Sequence, residues 1–158
     1  MEKRISWDEY FLKLAILVAE RSTCLRHHIG AIIVRNKRVL TTGYNGAVSG
    51  MKDCNDLGCI RDELKIPSGT RHEICRAIHA EQNAIIQAGT NGINIQSADI
   101  YITQTPCIIC AKMIANAGIK RIVTYKNYSD KNSLLLLKKK GIKITKIKRP
   151  SCTISILE

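Results

Sequence analysis

Two short segments of this 158-residue chain combine residue types that can hold a metal ion and move protons. The first is His79-Ala80-Glu81, and the second is Pro106-Cys107-Ile108-Ile109-Cys110. Both fall where the sequence predicts helix starts. Cysteines at i and i+3 share one helix face about one turn apart, so both sulfurs can reach one ion. The first turn also carries the positive end of the helix dipole, which favours thiolate, the form a metal binds. His79, Cys107 and Cys110 make three ligands. Zinc prefers four, and an open fourth place filled by water marks a catalytic site. Zinc lowers the pKa of such a water to about 7. Glu81, just past His79, lies near the ion without having to bind it and can carry the water's proton. Singly, these residues have ordinary readings: a polar surface His, a structural or redox C-x-x-C pair, a Glu that favours the dipole. Together, on two helix starts, they point to zinc-dependent hydrolytic chemistry with Glu81 as the catalytic proton carrier.

The elements that must position these groups follow from periodicity and punctuation. Ser6 and Glu9 make a capping box, and Trp7, Phe11, Leu14 and Val18 recur at helical spacing. Ile29 to Arg35 and Val39 to Tyr44 read as strands joined by a tight turn at Asn36-Lys37. From Asn45 to about Glu73 the chain is rich in Gly, Asp, Asn and Ser, an irregular insertion (about 46–74) of the length usually tied to function. Arg76 to Ala88 reads as a helix stopped by Gly89, and Ala98 to Thr103 as a strand. Thr105 as cap and Pro106 as first residue open a further helix that closes at Gly118. Ile119 to Tyr125 is a strand, Ser129 to Lys140 a helix ending at Gly141, and Ile142 to Ile147 a last strand. A hairpin followed by alternating helix and strand predicts one α/β domain over residues 1–158, with a mixed sheet and helices on both faces.

Composition narrows the class. An apolar content of 45% and a charged content of 24% are those of an ordinary globular protein, but the net charge of +12 is read either as attraction to an acidic partner or as compositional drift toward Lys and Ile. The opening Met-Glu-Lys-Arg-Ile-Ser-Trp-Asp does not read as a secretory signal, and Phe11 to Ala19 is too short for a membrane span. Seven cysteines without an export signal predict a reducing compartment, the cytoplasm, where clustered Cys bind metal or do chemistry. With one Trp and one Phe, platforms for stacking successive bases are scarce, although five Tyr remain. A small phosphorylated ligand fits this balance at least as well as a nucleic-acid strand.

The sequence resembles the cytidine deaminase superfamily and, within it, deoxycytidylate (dCMP) deaminases. The likeness is carried by Gly43-Tyr44-Asn45-Gly46, Arg71-His72-Glu73, His79-Ala80-Glu81-Gln82-Asn83-Ala84-Ile85, Cys107 to Ile114, and Asn116-Ala117-Gly118-Ile119, and it runs from Trp7 to about Ile147. It implies a three-layer αβα fold around a five-stranded mixed sheet, and hydrolysis of dCMP to dUMP and ammonia, supplying dUMP for thymidylate synthesis. It also implies that Arg26 contacts the 5′-phosphate and that Asn45 bonds the sugar or phosphate. Arg suits phosphate through its planar, bidentate donors. Many such enzymes are homo-oligomers, often hexamers, activated by dCTP with Mg2+ and inhibited by dTTP. On that pattern Gly43, Tyr44, Gly46 and Gly50 belong to an effector site. Val48 stands where the family usually has Pro, which loosens the loop the effector would read.

Three readings remain open at this stage: a dCMP deaminase, a deaminase acting on a base in RNA or single-stranded DNA, and a non-enzymatic zinc-stabilised interaction module. The module needs a fourth protein ligand and leaves Glu81 without a role. The basic tail (Lys138-Lys139-Lys140, Lys143, Lys146, Lys148, Arg149) is the best argument for nucleic acid. Its simpler reading offsets a helix dipole and protects an edge strand, so nucleic acid is not expected. Cys54-x4-Cys59 followed by His72-x2-Cys75 resembles closed zinc-site spacing, and a metal would order the insertion. Some dCMP deaminases use a Cys just after the first helix for such an ion, where Cys24 sits. The preferred set is Cys24, Cys54, His72 and Cys75, with Cys59 as substitute and Cys152 left out.

Overall fold

The computed structural model describes residues 4–127 and 130–151, so Cys152 and Ser129 lie outside the described residues. Helix α1 (Trp7–Ala19) opens with the expected capping box. The Glu9 N–H donates to the Ser6 hydroxyl and the Ser6 N–H donates to the Glu9 carboxylate at 2.9 Å. Strands β1 (Gly30–Arg35) and β2 (Arg38–Tyr44) are joined by Asn36 and Lys37, both at positive φ (52° and 59°). That is the backbone a two-residue hairpin turn demands, because it matches the right-handed twist of the strands.

The insertion is more ordered than its composition suggests. It holds β3 (Gly46–Ala47), the short helices α2 (Cys54–Leu57) and α3 (Ile60–Glu63), and a 3-10 turn (His72–Ile74). Asp53 starts α2 by accepting the Asn55 N–H at 2.7 Å. Then come β4 (Ala77–Ile78), α4 (Ala80–Thr90), β5 (Asp99–Ile102), α5 (Ile108–Asn116), β6 (Arg121–Thr124), α6 (Lys131–Lys139) and β7 (Lys143–Lys146).

The five-stranded sheet has the order β2-β1-β5-β6-β7. β1 runs antiparallel to β2 and β5, whereas β5, β6 and β7 are parallel. Alternation along β1 sorts the layers. Ile32 and Val34 join Phe11, Leu12 and Ala15 of α1, while Ala31 and Ile33 join residues of α4 and α5 and Leu137 of α6. One helix therefore covers one face and three cover the other, the expected αβα arrangement. Asp8 of α1 is tied to the sheet edge-on: Arg121 donates to both its oxygens and the Tyr101 hydroxyl to Oδ1 at 2.9 Å. No helix among the described residues is long and apolar enough to cross a membrane.

Two helix starts differ from expectation for a reason of pairing, and one helix end moves as well. Arg76 to Ile78 is not helical, because Ala77 and Ile78 pair with Ala47 and Gly46. Helix α4 instead begins after His79 and runs through Gly89 to Thr90, and Gly92 takes the positive φ of 63°. Thr105 and Pro106 stay extended, since the Thr105 N–H donates to the Lys126 carbonyl at 2.9 Å beside the Gln104–Lys126 bridge. Cys107 is the cap of α5 instead.

Helix α4 lies directly on β2 at Gly43. A Cβ there would stand 2.2 Å from the Ala80 carbonyl oxygen and 2.4 Å from the Ala84 nitrogen, both backbone atoms that cannot swing away. Gly43→Ala should therefore destabilise the fold by about 1–3 kcal/mol, the usual range for overpacking. Chemical unfolding measures it, and an unchanged midpoint would show that α4 does not press on Gly43.

Candidate metal centre and catalytic pocket

Two helix starts meet at the centre of the site. His79 precedes α4 and Cys107 precedes α5, both in extended backbone, with Cys110 in the first turn of α5. His79 Nδ1 lies 3.5 Å from Cys107 Sγ and 3.3 Å from Cys110 Sγ. All three ligand atoms fall within 4.8 Å of one another, a grouping that stands alone among the described residues. One imidazole nitrogen and two sulfurs are the donor set of an open zinc site. Cys107 is pushed down to about 4 by the hydrogen bond from Cys110 and by His79, while the Cys110 thiol is pushed up by Cys107 and by burial. A metal ion binds both sulfurs as thiolates, so its binding would release their protons. Hydrogen bonding with Cys107 raises the His79 pKa.

Glu81 sits beside this group with 4% of its surface exposed. Burial raises its pKa, so its neutral, proton-bearing form is within reach. A carboxyl poised between its two states can both take and give a proton.

One local partner and two distant in sequence hold the two helix starts. Gln82 accepts the His79 N–H at 2.9 Å. Asp130, the cap of α6, accepts the Ile108 N–H at 2.8 Å on one oxygen and the Asn132 and Ser133 N–H groups on the other. Ser133 donates to the Pro106 carbonyl at 2.6 Å. The start of α6 therefore clamps the segment that carries both cysteine ligands. Sequence reading missed Asp130 in this role; its signal was the N-cap preference of Asp just before Lys131, not any metal motif.

The cavity over Glu81 also takes in Arg26, Asn45 and Arg61. Arg26 donates from Nε to Asp62 at 2.7 Å and from Nη2 to the Ile66 carbonyl at 2.8 Å. The bond to Asp62 raises the Arg26 pKa. Asn45 is buried; its Oδ1 accepts the Ile29 N–H at 2.8 Å and its Nδ2 donates to the His27 carbonyl at 2.7 Å. It holds the 27–29 backbone while lining the cavity. The other residues of that run have structural partners. Gly43 lies under α4, the Tyr44 carbonyl accepts from Asn83 at 2.8 Å, Gly46 pairs with Ile78, and Gly50 takes a turn at φ 80°.

The remaining cysteines gather on the insertion side. Cys54 and Cys59 are buried, and Cys24 and Cys75 are partly so. Burial, followed by the charges of Cys24, Cys59 and Cys75, pushes the Cys54 thiol up. The His72 ring packs edge-on against His79 with centroids 4.8 Å apart.

Residues 5–126 match the family model for the cytidine and deoxycytidylate deaminase zinc-binding region. The chain is 38% identical to the deoxycytidylate deaminase of Mycobacterium phage D29, over 76% of this chain and 94% of that protein. It is 37% identical to the deoxycytidylate deaminase of Schizosaccharomyces pombe over 89% of this chain, but spans only 44% of that longer protein. The fold superposes on the crystal structure of dCMP deaminase from the cyanophage S-TIM5 in complex with dCMP and dUMP, with a TM-score of 0.77 at 29% identity, covering 92% of this chain and all of that one. The His79–Cys107–Cys110 group, the buried Glu81 and these matches together place the chain in the cytidine and deoxycytidylate deaminase family.

Proposed function

We propose that the chain catalyses the zinc-dependent hydrolysis of dCMP to dUMP and ammonia. The reading is carried by one observation: a His/Cys/Cys ligand group beside a buried carboxyl opens into a cavity lined with arginine. When bound at His79, Cys107 and Cys110, zinc would act as a Lewis acid on a water and lower its pKa to about 7. Glu81 takes a proton from that water and gives it to N3 of the cytosine as the water oxygen bonds to C4. It then carries a second proton to the 4-amino nitrogen, which leaves as ammonia. Arg26 faces the 5′-phosphate and Asn45 the sugar; the amide of Asn45 keeps one further N–H for that bond beyond the one given to His27.

The same family likeness supports a cytoplasmic homo-oligomer, activated by dCTP with Mg2+ and inhibited by dTTP, with Gly43, Tyr44, Gly46 and Gly50 at the effector site. It also supports a second, structural zinc. Its candidate donors are Cys24, Cys54, His72 and Cys75, with Cys59 as the substitute for any one of them.

Ammonia release from dCMP, dCTP, deoxycytidine and an RNA hairpin tests the substrate. Turnover is expected with dCMP at least tenfold above the others, rising with dCTP and Mg2+ at low dCMP. Preference for the hairpin would overturn the nucleotide reading, and hyperbolic dCMP kinetics indifferent to dCTP would remove the regulation alone.

A further inference from the structure

We propose that Arg61 is a second guanidinium in the anion-binding part of the cavity, paired with Arg26, and that the two select a phosphorylated substrate over the free nucleoside. The proposal rests on the nucleotide reading above and extends it to a residue of the insertion that the catalytic motifs do not include.

Arg61 belongs to α3, yet it is only 6% exposed and lines the same cavity as Glu81. A charge withdrawn from water needs partners for its donors, or it stays buried at a penalty. Arg61 Nη2 has one, the Pro67 carbonyl at 3.0 Å. Arg61 Nε is buried with no partner. Arg26, which lines the same cavity, shows the same pattern. Its Nε and Nη2 are committed to Asp62 and the Ile66 carbonyl, while Nη1 is buried with no partner. Each guanidinium thus keeps one N–H donor in reserve, next to the cavity in which the substrate would lie.

Those two donors call for an anion with several acceptor oxygens. A guanidinium stays charged at any working pH, and a phosphate can accept from both at once. The surroundings agree. His27, whose Nε2 lies 3.1 Å from the Ser68 hydroxyl, has its pKa lowered by burial and then by the positive charges of Lys126, Arg26 and Arg61. Arg26, His27 and Arg61 line this cavity together, and Asp62, whose side chain is 58% exposed, pairs with Arg26 from outside it.

The Arg26–Asp62 ion pair has a second consequence. It latches α3 to the segment just after α1, so the insertion carries Arg61 into the cavity as a fixed wall. Asp62 acts as a positioning residue for both arginines.

Steady-state kinetics of Arg61→Gln and Arg61→Lys with dCMP and with deoxycytidine test the proposal. For Arg61→Gln, KM for dCMP should rise on the order of 10²-fold, the scale of a lost charge-assisted, bidentate-capable contact. Its kcat should change only a few-fold, and kcat/KM should fall far less for deoxycytidine than for dCMP. Arg61→Lys should recover part of the loss, since it returns the charge without the planar fork. Inorganic phosphate should inhibit wild-type turnover of dCMP competitively, and the lysine variant should need more of it. A parallel fall for both substrates would make Arg61 a purely structural residue and overturn the proposal. So would an unchanged dCMP-to-deoxycytidine ratio in the variants. If the glutamine variant does not fold, the lysine variant and the phosphate inhibition of the wild type decide. A wild-type enzyme with no preference for dCMP over deoxycytidine would instead overturn the nucleotide reading itself.

Discussion

Glu81→Gln is expected to lower kcat for dCMP by at least about 10²–10⁴-fold while the chain keeps its zinc. That range corresponds to about 2.7–5.5 kcal/mol of barrier. The substitution is nearly isosteric, and Glu81 is 4% exposed with its neutral form favoured by burial. A neutral amide of nearly the same shape suits a buried position, and stability should change little. What the amide lacks is the capacity to accept a proton and release it. The ligand atoms of His79, Cys107 and Cys110 are untouched, so metal content measured on the same sample should match the wild type. Turnover near the wild-type rate would remove Glu81 from the reaction. Loss of zinc along with activity would instead make Glu81 a support of the metal group.

The parts of this fold that were legible in the sequence are those whose causes are local. The capping box at Ser6 and Glu9 and the Asn36-Lys37 hairpin depend on residues a few positions apart, and both appear as expected. The alternation in β1 sorts residues to two faces for the same reason. The boundaries that moved are those decided by a distant strand. Arg76 to Ile78 has the composition of a first helical turn, but Gly46 and Ala47 hold Ala77 and Ile78 extended. Thr105 and Pro106 have the chemistry of a cap and first turn, but Lys126 binds Thr105 first.

The site divides along the same line. His79, Glu81, Cys107 and Cys110 sit in two short motifs, so their types and spacing alone announce the chemistry. Asp130 and Arg61 act on groups they meet only through the fold. Asp130 reaches Ile108 because α6 packs on α5, and Arg61 reaches the cavity because the insertion is latched at Arg26. His72 shows what spacing leaves open: its place near Cys75 suggests a ligand of a second ion, while the 3-10 turn also brings its ring against His79. Spacing can propose a ligand set, whereas only the path of the backbone decides which way a ring points.

Cys110→Ala should abolish activity, and zinc content should separate the two proposed ions. The wild-type chain is expected to hold two zinc ions, and Cys110→Ala one. Cys110 is fully buried at the start of α5, with its sulfur 3.3 Å from His79 Nδ1. Removing it leaves one imidazole and one thiol, and two donors do not retain zinc against water as three or four do. The fold should survive, because the cluster that holds α5 to the sheet is built from Ala111 and Ile114 packed with the β5 and β6 residues Ile100, Ile102 and Ile122. The complementary variant, Cys54→Ser with Cys75→Ser, should also fall to one ion per chain, but for the opposite reason. It keeps the His79 group and loses the site on the insertion, so it should retain residual turnover while unfolding at a lower temperature. That loss of stability follows because a structural ion contributes its binding energy to folding. The insertion also carries Arg61, and loosening it should raise KM for dCMP more than it lowers kcat. One zinc per wild-type chain, vanishing in Cys110→Ala and unchanged in the double serine variant, would leave the catalytic ion in place and eliminate the second.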